Sequence, residues 1–147
     1  MRIANRFAIA VHIISLLETD ENGEATSEWM AGSIGTNPVI VRRISGMLRR
    51  AGLLRTRQGV AGAEIERPLS EITLLDVYRA VNEEGELFSV HPRPNPLCEV
   101  GANIQDTLEE VFGEAQEAME NRLKGTTMLD VVQDLRVRAR EKESAGV

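Results

Sequence analysis

Arginine side chains are concentrated in one stretch of this chain, between residues 36 and 67. That stretch holds seven arginines and two glutamates, a charge of +5, although the whole chain carries −6. The remaining residues are therefore strongly acidic. Neutralising phosphates with Arg or Lys dominates the affinity of proteins for nucleic acid. The charge pattern thus indicates a surface that faces a polyanion, with nucleic acid as the first candidate.

Three helices are predicted to position these arginines. The first covers residues 5–18 and is apolar on nearly all sides, so most of its surface should be buried. A short second helix covers residues 28–34. A third helix begins with Pro38 in its first turn, where the missing N–H of proline costs nothing, and runs to about residue 51. A short helix, a turn and an arginine-rich helix indicate a helix-turn-helix.

Two short strands are predicted next, over residues 53–57 and 63–67, with a glycine-containing loop between them. They make the pattern a winged helix-turn-helix. In this motif the N-terminal turn of the second helix enters the major groove and its side chains reach base edges. The slim tip of the wing would fit a minor groove. The residues predicted to contact DNA are Thr36, Asn37, Val39, Arg42, Arg43, Arg49 and Arg50 in the helix and Arg55, Arg57 and Gln58 in the wing.

The second half of the chain is predicted to be helical after one interruption. A fourth helix begins after Thr73, and alternate prolines between residues 91 and 96 then exclude helix. A long helix follows over residues 103–124 and a last one over 128–140. We therefore predict a mostly α fold in three parts: a winged helix-turn-helix DNA-binding domain (1–82), a proline-rich sensor or hinge loop (83–102), and a long dimerisation helix with a C-terminal helix (103–147).

The long helix carries one apolar stripe with acidic residues opposite. This stripe could pack on its own domain or against the same helix of a second subunit. We favour a homodimer, because the first four helices can close a core and a winged domain reads only a short half-site. The predicted dimer contacts are Ile104, Leu108, Val111, Phe112, Ala115 and Met119.

Composition and motifs argue against several classes of protein. Only 3% of residues are aromatic, which favours an aliphatic helical core over a β-sandwich. No apolar run approaches the ~20 residues of a membrane span. GxSxG, P-loop and CxxC motifs are absent from the sequence. We therefore expect a cytoplasmic protein that is not an enzyme, uses no cofactor and has no membrane partner.

Cys98 is the only cysteine, so one chain can form neither an internal disulfide nor a zinc finger from its own thiols. It lies five residues before the predicted start of the long helix. The positive end of that helix would lower the pKa of the thiol, while the adjacent Glu99 would raise it. A thiol sensor and a small side chain packed in a loop both remain open, and no metal site is predicted.

Five parts of the chain have a recognisable pattern: residues 36–43, 51–54, 59–62, 72–77 with 80–81, and 95–104. Together these stretches resemble the Rrf2 family of bacterial transcription regulators, and in particular its YwnA-like branch. The resemblance implies a homodimeric winged helix-turn-helix repressor with a long crossing dimerisation helix. Many members hold an iron–sulfur cluster through three cysteines before that helix, but this chain has only Cys98 there, so we expect no such cluster.

The wing departs from the family pattern, which often has Gly-Gly-Tyr where this chain has Gly62-Ala63-Glu64. Glu64 would repel phosphate if it faced the groove. Charge pattern and resemblance together predict a homodimeric, sequence-specific regulator that binds double-stranded DNA. It would act as a repressor, gated by oxidation or an unknown small-molecule effector at the Cys98 loop. The alternative is a winged-helix module that binds proteins and not DNA.

Overall fold

The structure is a computed structural model that describes residues 3–57, 59, 62–83 and 85–146. The two strands pair antiparallel, with Arg55 opposite Glu64. The predicted architecture, mostly helical with a two-stranded wing, is confirmed. The elements are α1 (Ile3–Thr19), α2 (Ser27–Ile34), α3 (Pro38–Arg50), β1 (Leu54–Thr56), β2 (Ala63–Ile65), a 3-10 turn (Leu69–Glu71), α4 (Leu74–Val81), α5 (Glu99–Lys124) and α6 (Met128–Ser144).

One aliphatic core lies between α1, α3, α4 and α6. The side of α3 predicted to be buried is confirmed, since Val41, Ile44, Met47 and Leu48 are all buried. Burial of these side chains turns the opposite, arginine-bearing side of α3 outward. The core residues without solvent exposure are Ala10, Ile13, Ile14, Val41, Ile44, Leu48, Ile72, Val77, Val81, Met128 and Val132.

The start of α6 is joined to the start of α4 through the main chain. The N–H of Met128 donates to the carbonyl of Ile72 at 2.7 Å, and the N–H of Leu74 donates to the carbonyl of Thr126 at 2.8 Å. The three-part division of the chain stays a prediction, but α6, grouped there with α5, packs by its first turns into the core of the winged domain. Among the described helices, none is both long enough and apolar enough to cross a membrane.

Helix α5 begins at Glu99, four residues earlier than the sequence pattern predicted. Proline excludes helix only up to Pro96. After it, Asn95 closes a turn, because its Oδ1 accepts the N–H of Leu97 at 3.0 Å and its carbonyl accepts that of Cys98 at 3.2 Å. Gly101 packs directly on the Asn95 backbone, where a Cβ would clash. The helix can therefore start beside the loop.

Replacing Thr127 with alanine should lower the free energy of unfolding by about 1 kcal/mol. The Thr127 hydroxyl accepts the N–H of Asp130 at 3.1 Å, and the Asp130 carboxylate accepts the N–H of Thr127 at 2.9 Å. Urea unfolding at one fixed protein concentration measures the loss. Thr127→Ser keeps the hydroxyl and should retain most of the stability, so equal losses in the two variants would contradict the capping role.

Candidate nucleic-acid interface

A tight turn fixes α3 against α2. Thr26 caps α2, because its hydroxyl accepts the N–H of Trp29 at 3.1 Å. At the other end Gly35 adopts a left-handed conformation with φ 82°, which glycine tolerates without strain. The N–H groups of Gly35 and Thr36 both donate to the carbonyl of Ala31, at 2.9 and 3.0 Å. The turn therefore fixes the direction of α3 relative to α2, as a helix-turn-helix requires.

The first turn of α3 contains the residues predicted to contact bases. The Oδ1 atom of Asn37 accepts the N–H of Ile40 at 3.0 Å, so the carboxamide oxygen caps the helix. The amide nitrogen of Asn37 is then the group available to DNA. Val39 is 66% exposed, although it is apolar, while Thr36 is half-buried. An exposed valine here can contact the methyl group of thymine.

The outward side of α3 is one continuous stripe, which we call the α3 stripe. Its members recur at the i, i+3, i+4 and i+7 spacing of one helical face, opposite the buried side. Gly46 stands in its middle and is buried, because the guanidinium groups of Arg49 and Arg50 lie over it. The α3 stripe consists of Val39, Arg42, Arg43, Gly46, Arg49 and Arg50.

The four arginines of the α3 stripe differ in their partners. The Nη1 atom of Arg42 donates to Oε1 of Glu28 on α2 at 3.3 Å. Arg43, Arg49 and Arg50 are exposed and form no ion pair with any residue that the structure describes. Three positive charges without an ion-pair partner in the described chain therefore lie together on one face of α3.

The wing arginines are held by acids of the neighbouring strand. Arg55 donates to Oε2 of Glu64 from Nη2 at 2.9 Å and from Nε at 3.3 Å, and Nε of Arg57 lies 3.5 Å from Oε1 of Glu64. The hydrogen bond to Glu64, and then its charge, raise the pKa of Arg55. Arg55 and Arg57 thus contact the same carboxylate, although Arg57 follows the last residue of β1. Gln58, predicted as a third wing contact, lies outside the described residues.

Sequence reasoning missed Gly46 and the acidic partners Glu28 and Glu64. A helical wheel centred on Val39 would have placed Gly46 within the arginines. The hairpin sets the strand register that puts Glu64 opposite Arg55. Cross-strand neighbours of opposite charge attract each other. The contact between Glu28 and Arg42 joins two helices and has no local signal in the sequence.

Cys98 is the residue immediately before α5, and not five residues away, because that helix starts early. Its side chain is exposed. The N–H groups of Gly101 and then Val100, at the start of the helix, lower the pKa of the Cys98 thiol. The predicted lowering by the helix is thus confirmed in direction. Among the residues with described positions, no group of three His, Cys, Asp or Glu could hold a metal ion.

Helix α5 buries none of its 26 residues within the protomer. The loop before it folds back along its side. The side chain of Gln116 accepts the N–H of Leu87 at 2.9 Å and donates to the carbonyl of Gly85 at 3.2 Å, and Phe88 packs on Phe112 with ring centroids 5.3 Å apart. Val111 remains 56% exposed. The predicted apolar stripe is present, and its other five members, Ile104, Leu108, Phe112, Ala115 and Met119, are half-buried.

Comparison with known proteins gives the family of this chain. The family model of Rrf2, described as an iron-dependent transcriptional regulator, matches residues 3–134. The chain belongs to the Rrf2 family. It is 47% identical over 133 residues to YwnA of Bacillus subtilis (strain 168), which is named as an HTH-type transcriptional regulator. That match covers 90% of this chain and 98% of YwnA, so the predicted branch is confirmed as well.

Solved structures agree with this assignment. A crystal structure described as that of a DNA-binding protein is 43% identical, with a TM-score of 0.72, and the match covers 86% of this chain and 97% of the other. A transcriptional regulator from Lactobacillus plantarum is 26% identical, with a TM-score of 0.76 and 95% and 97% covered. The protein is thus a DNA-binding transcriptional regulator, and the prediction that it is not an enzyme is confirmed.

The family is described as iron-dependent, which implies a metal group, and the donor atoms of this chain decide whether one fits. A cluster held by three cysteines needs three thiolates, and one chain supplies only Cys98. Glu99 and His91 are nearby in sequence, but they form no metal-binding group with Cys98. The residues present do not fit a three-cysteine cluster, and no step of the function below passes through one.

Proposed function

We propose that this regulator is a homodimer that represses transcription by binding a specific double-stranded DNA operator through the α3 stripe. The observation that carries the proposal is the uncompensated charge of Arg43, Arg49 and Arg50 on one exposed helix face of an acidic chain. An α-helix fits the major groove of B-DNA. Acidic residues over the remainder of the surface would keep DNA to this one side.

The α3 stripe has two parts, of which one would contact bases and the other would contact phosphates. Arg42, Arg43 and Val39 belong to the first two turns, which reach base edges in a helix-turn-helix. Arginine reads guanine through a bidentate pair, and valine suits the thymine methyl group. Arg49 and Arg50 lie in the last turn, where contacts with phosphate fix the register of the protein on the duplex.

The second subunit would pack on the exposed side of α5. A helix of 26 residues is about 39 Å long and rarely stays stable in water without burying an apolar side. A second copy of the same helix offers a matching stripe with acidic residues outside it. Two winged domains joined in this way would read two half-sites about one helical turn apart. The proposed contacts are Ile104, Leu108, Val111, Phe112, Ala115 and Met119.

Footprinting on the region upstream of the protein's own gene tests this function. We expect one protected site made of two related half-sites, and less transcript from that promoter when protein is added in vitro. Equal binding to all duplexes would exclude a specific operator, and more transcript would exclude repression. Binding to no duplex would favour the alternative, a module that binds proteins. A regulator that binds promoters must be in the compartment that contains the DNA, so we propose that this protein is cytoplasmic.

Oxidation of Cys98 is the gating step that the structure favours, because the thiol is exposed and its pKa is lowered. A thiolate attacks peroxide more readily than a thiol does and becomes sulfenic acid. We expect peroxide to change operator affinity in the parent and not in Cys98→Ser. Because the pKa of the Cys98 thiol is lowered, alkylation of Cys98 should reach half its maximal rate at a lower pH than alkylation of a free cysteine measured beside it. Equal responses of the two proteins would exclude this gate and leave only an effector of unknown chemistry.

A further inference from the structure

A single carboxylate of the wing holds both of its described basic side chains. Oε2 of Glu64 accepts two hydrogen bonds from Arg55, and Oε1 lies 3.5 Å from Nε of Arg57. The sheet places Arg55 and Glu64 opposite each other across the strands. Arg57 follows the last residue of β1 and reaches the same carboxylate from there. Both oxygens of Glu64 are therefore engaged by guanidinium groups.

The charges of the wing cancel as a result. Oε2 of Glu66 lies 3.8 Å from Nε of Arg55, so two acids stand against two arginines. The contrast with α3 is large, because three arginines there have no acidic partner within the described chain. The pairs of the wing are at the surface, with the side chains of Glu64 and Arg57 41% and 37% exposed. Solvent and DNA can therefore both reach them.

We propose that Glu64 is an internal counter-ion of the wing, which holds Arg55 and Arg57 and suppresses their binding to DNA phosphates. This inference rests on the DNA binding proposed above and adds a determinant of its specificity. Non-specific affinity comes almost entirely from phosphate neutralisation. Reducing it at the wing, while the base contacts of the α3 stripe are kept, raises the ratio of specific to non-specific binding. Glu64 is thus a positioning residue that acts through two arginines.

The salt dependence of DNA binding measures this effect directly. Each phosphate that a protein neutralises steepens the slope of log K against log salt by about 0.9. An arginine that must leave a carboxylate contributes less, because the freed carboxylate takes up cations and repels the duplex. Replacing Glu64 with glutamine keeps the size and the hydrogen-bond acceptor of the side chain but removes its charge.

The test compares binding of a short duplex of random sequence by the full chain and its variants. We expect Glu64→Gln to bind more tightly and to have a slope steeper by about 0.9, so that its advantage grows about 3.5-fold as salt falls from about 200 to about 50 mM. Glu64→Asp keeps the charge and should restore the slope of the parent. Glu110→Gln on α5 makes the same change in net charge away from the wing and should leave the slope unchanged.

A double replacement separates the arginines from simple repulsion. In Arg55→Ala/Arg57→Ala, adding Glu64→Gln should give little further change, because no wing arginine remains to be released. A full gain in that background would overturn the inference, as would an unchanged or shallower slope for Glu64→Gln or an equal gain in Glu110→Gln. If the parent itself binds no duplex at any salt, the proposed function fails and this inference fails with it. If the parent shows salt-dependent binding but Glu64→Gln has no effect, the proposed function stands and only this inference fails.

Discussion

Arg43→Ala should weaken binding of the operator by about 1–3 kcal/mol, roughly 5- to 150-fold, if Arg43 reads a base. Arg43 is exposed in the second turn of α3, has no ion-pair partner within the described residues and lies beside Val39 on the α3 stripe. Removing a bidentate base contact leaves the groups of the base without their partner. Affinities for the operator and for a random duplex at one fixed salt concentration measure the loss and the change in specificity.

Two matched variants isolate this role from the loss of one positive charge. Arg49→Ala removes a side chain proposed to contact phosphate, so it should weaken the operator and the random duplex alike. Arg140→Ala removes an exposed charge on α6, far along the chain from the α3 stripe, and should change neither affinity much. If operator affinity is unchanged in Arg43→Ala, or falls only as much as that of the random duplex, Arg43 reads no base.

The helix-turn-helix could be predicted because its signals are local. Asn37 and Pro38 mark the start of α3, Gly52 marks its end with φ 79°, and the spacing of apolar residues defines its buried side. These properties depend only on residues a few positions apart. The face that carries the arginines follows from them, and so do the candidates for base contact.

The state of each arginine could not be predicted in the same way. The partner of Arg42 is Glu28, fourteen residues earlier and on another helix, so the pair exists only once α2 and α3 have packed. The sequence predicted that Glu64 would repel phosphate if it faced the groove, but it did not show the partners of this carboxylate. The structure places the carboxylate between two guanidinium groups. The charge counted along the sequence already included Glu64 and Glu66, but it could not show which arginines these two acids hold.

The start of α5 and the packing of α6 could not be predicted from the sequence pattern either. The prolines mark the end of the loop only approximately, and the early start of α5 depends on Gly101 fitting against Asn95. Helix α6 contributes Met128 and Val132 to a core that the first four helices were expected to close alone. Leu129 and Val131 also pack against this core, but four apolar residues at the start of one helix do not show in the sequence which part of the protein they contact. Among the residues for which burial is described, α5 is thus the one helix that has no buried residue.

Val111→Glu should convert the proposed dimer into monomers and weaken operator binding by roughly 100-fold or more, because two linked half-site contacts gain that much or more from their high effective concentration. Val111 is 56% exposed in the protomer, so the change hardly affects folding of one chain. In a dimer, however, two new carboxylates would enter an apolar interface without cationic partners. Sedimentation equilibrium gives the subunit number, and DNA titration gives the loss of affinity.

Asn121→Glu is the matched control, since it adds the same charge to an exposed position of α5 about a third of a turn away from the centre of the apolar stripe. It should remain a dimer with near-parental operator affinity, and both variants should show the far-UV circular dichroism of the parent. The comparison works because the protomer buries no residue of α5, so any loss specific to Val111→Glu comes from a second chain. A Val111→Glu protein that stays dimeric and binds its operator normally would place the dimer contact on another surface.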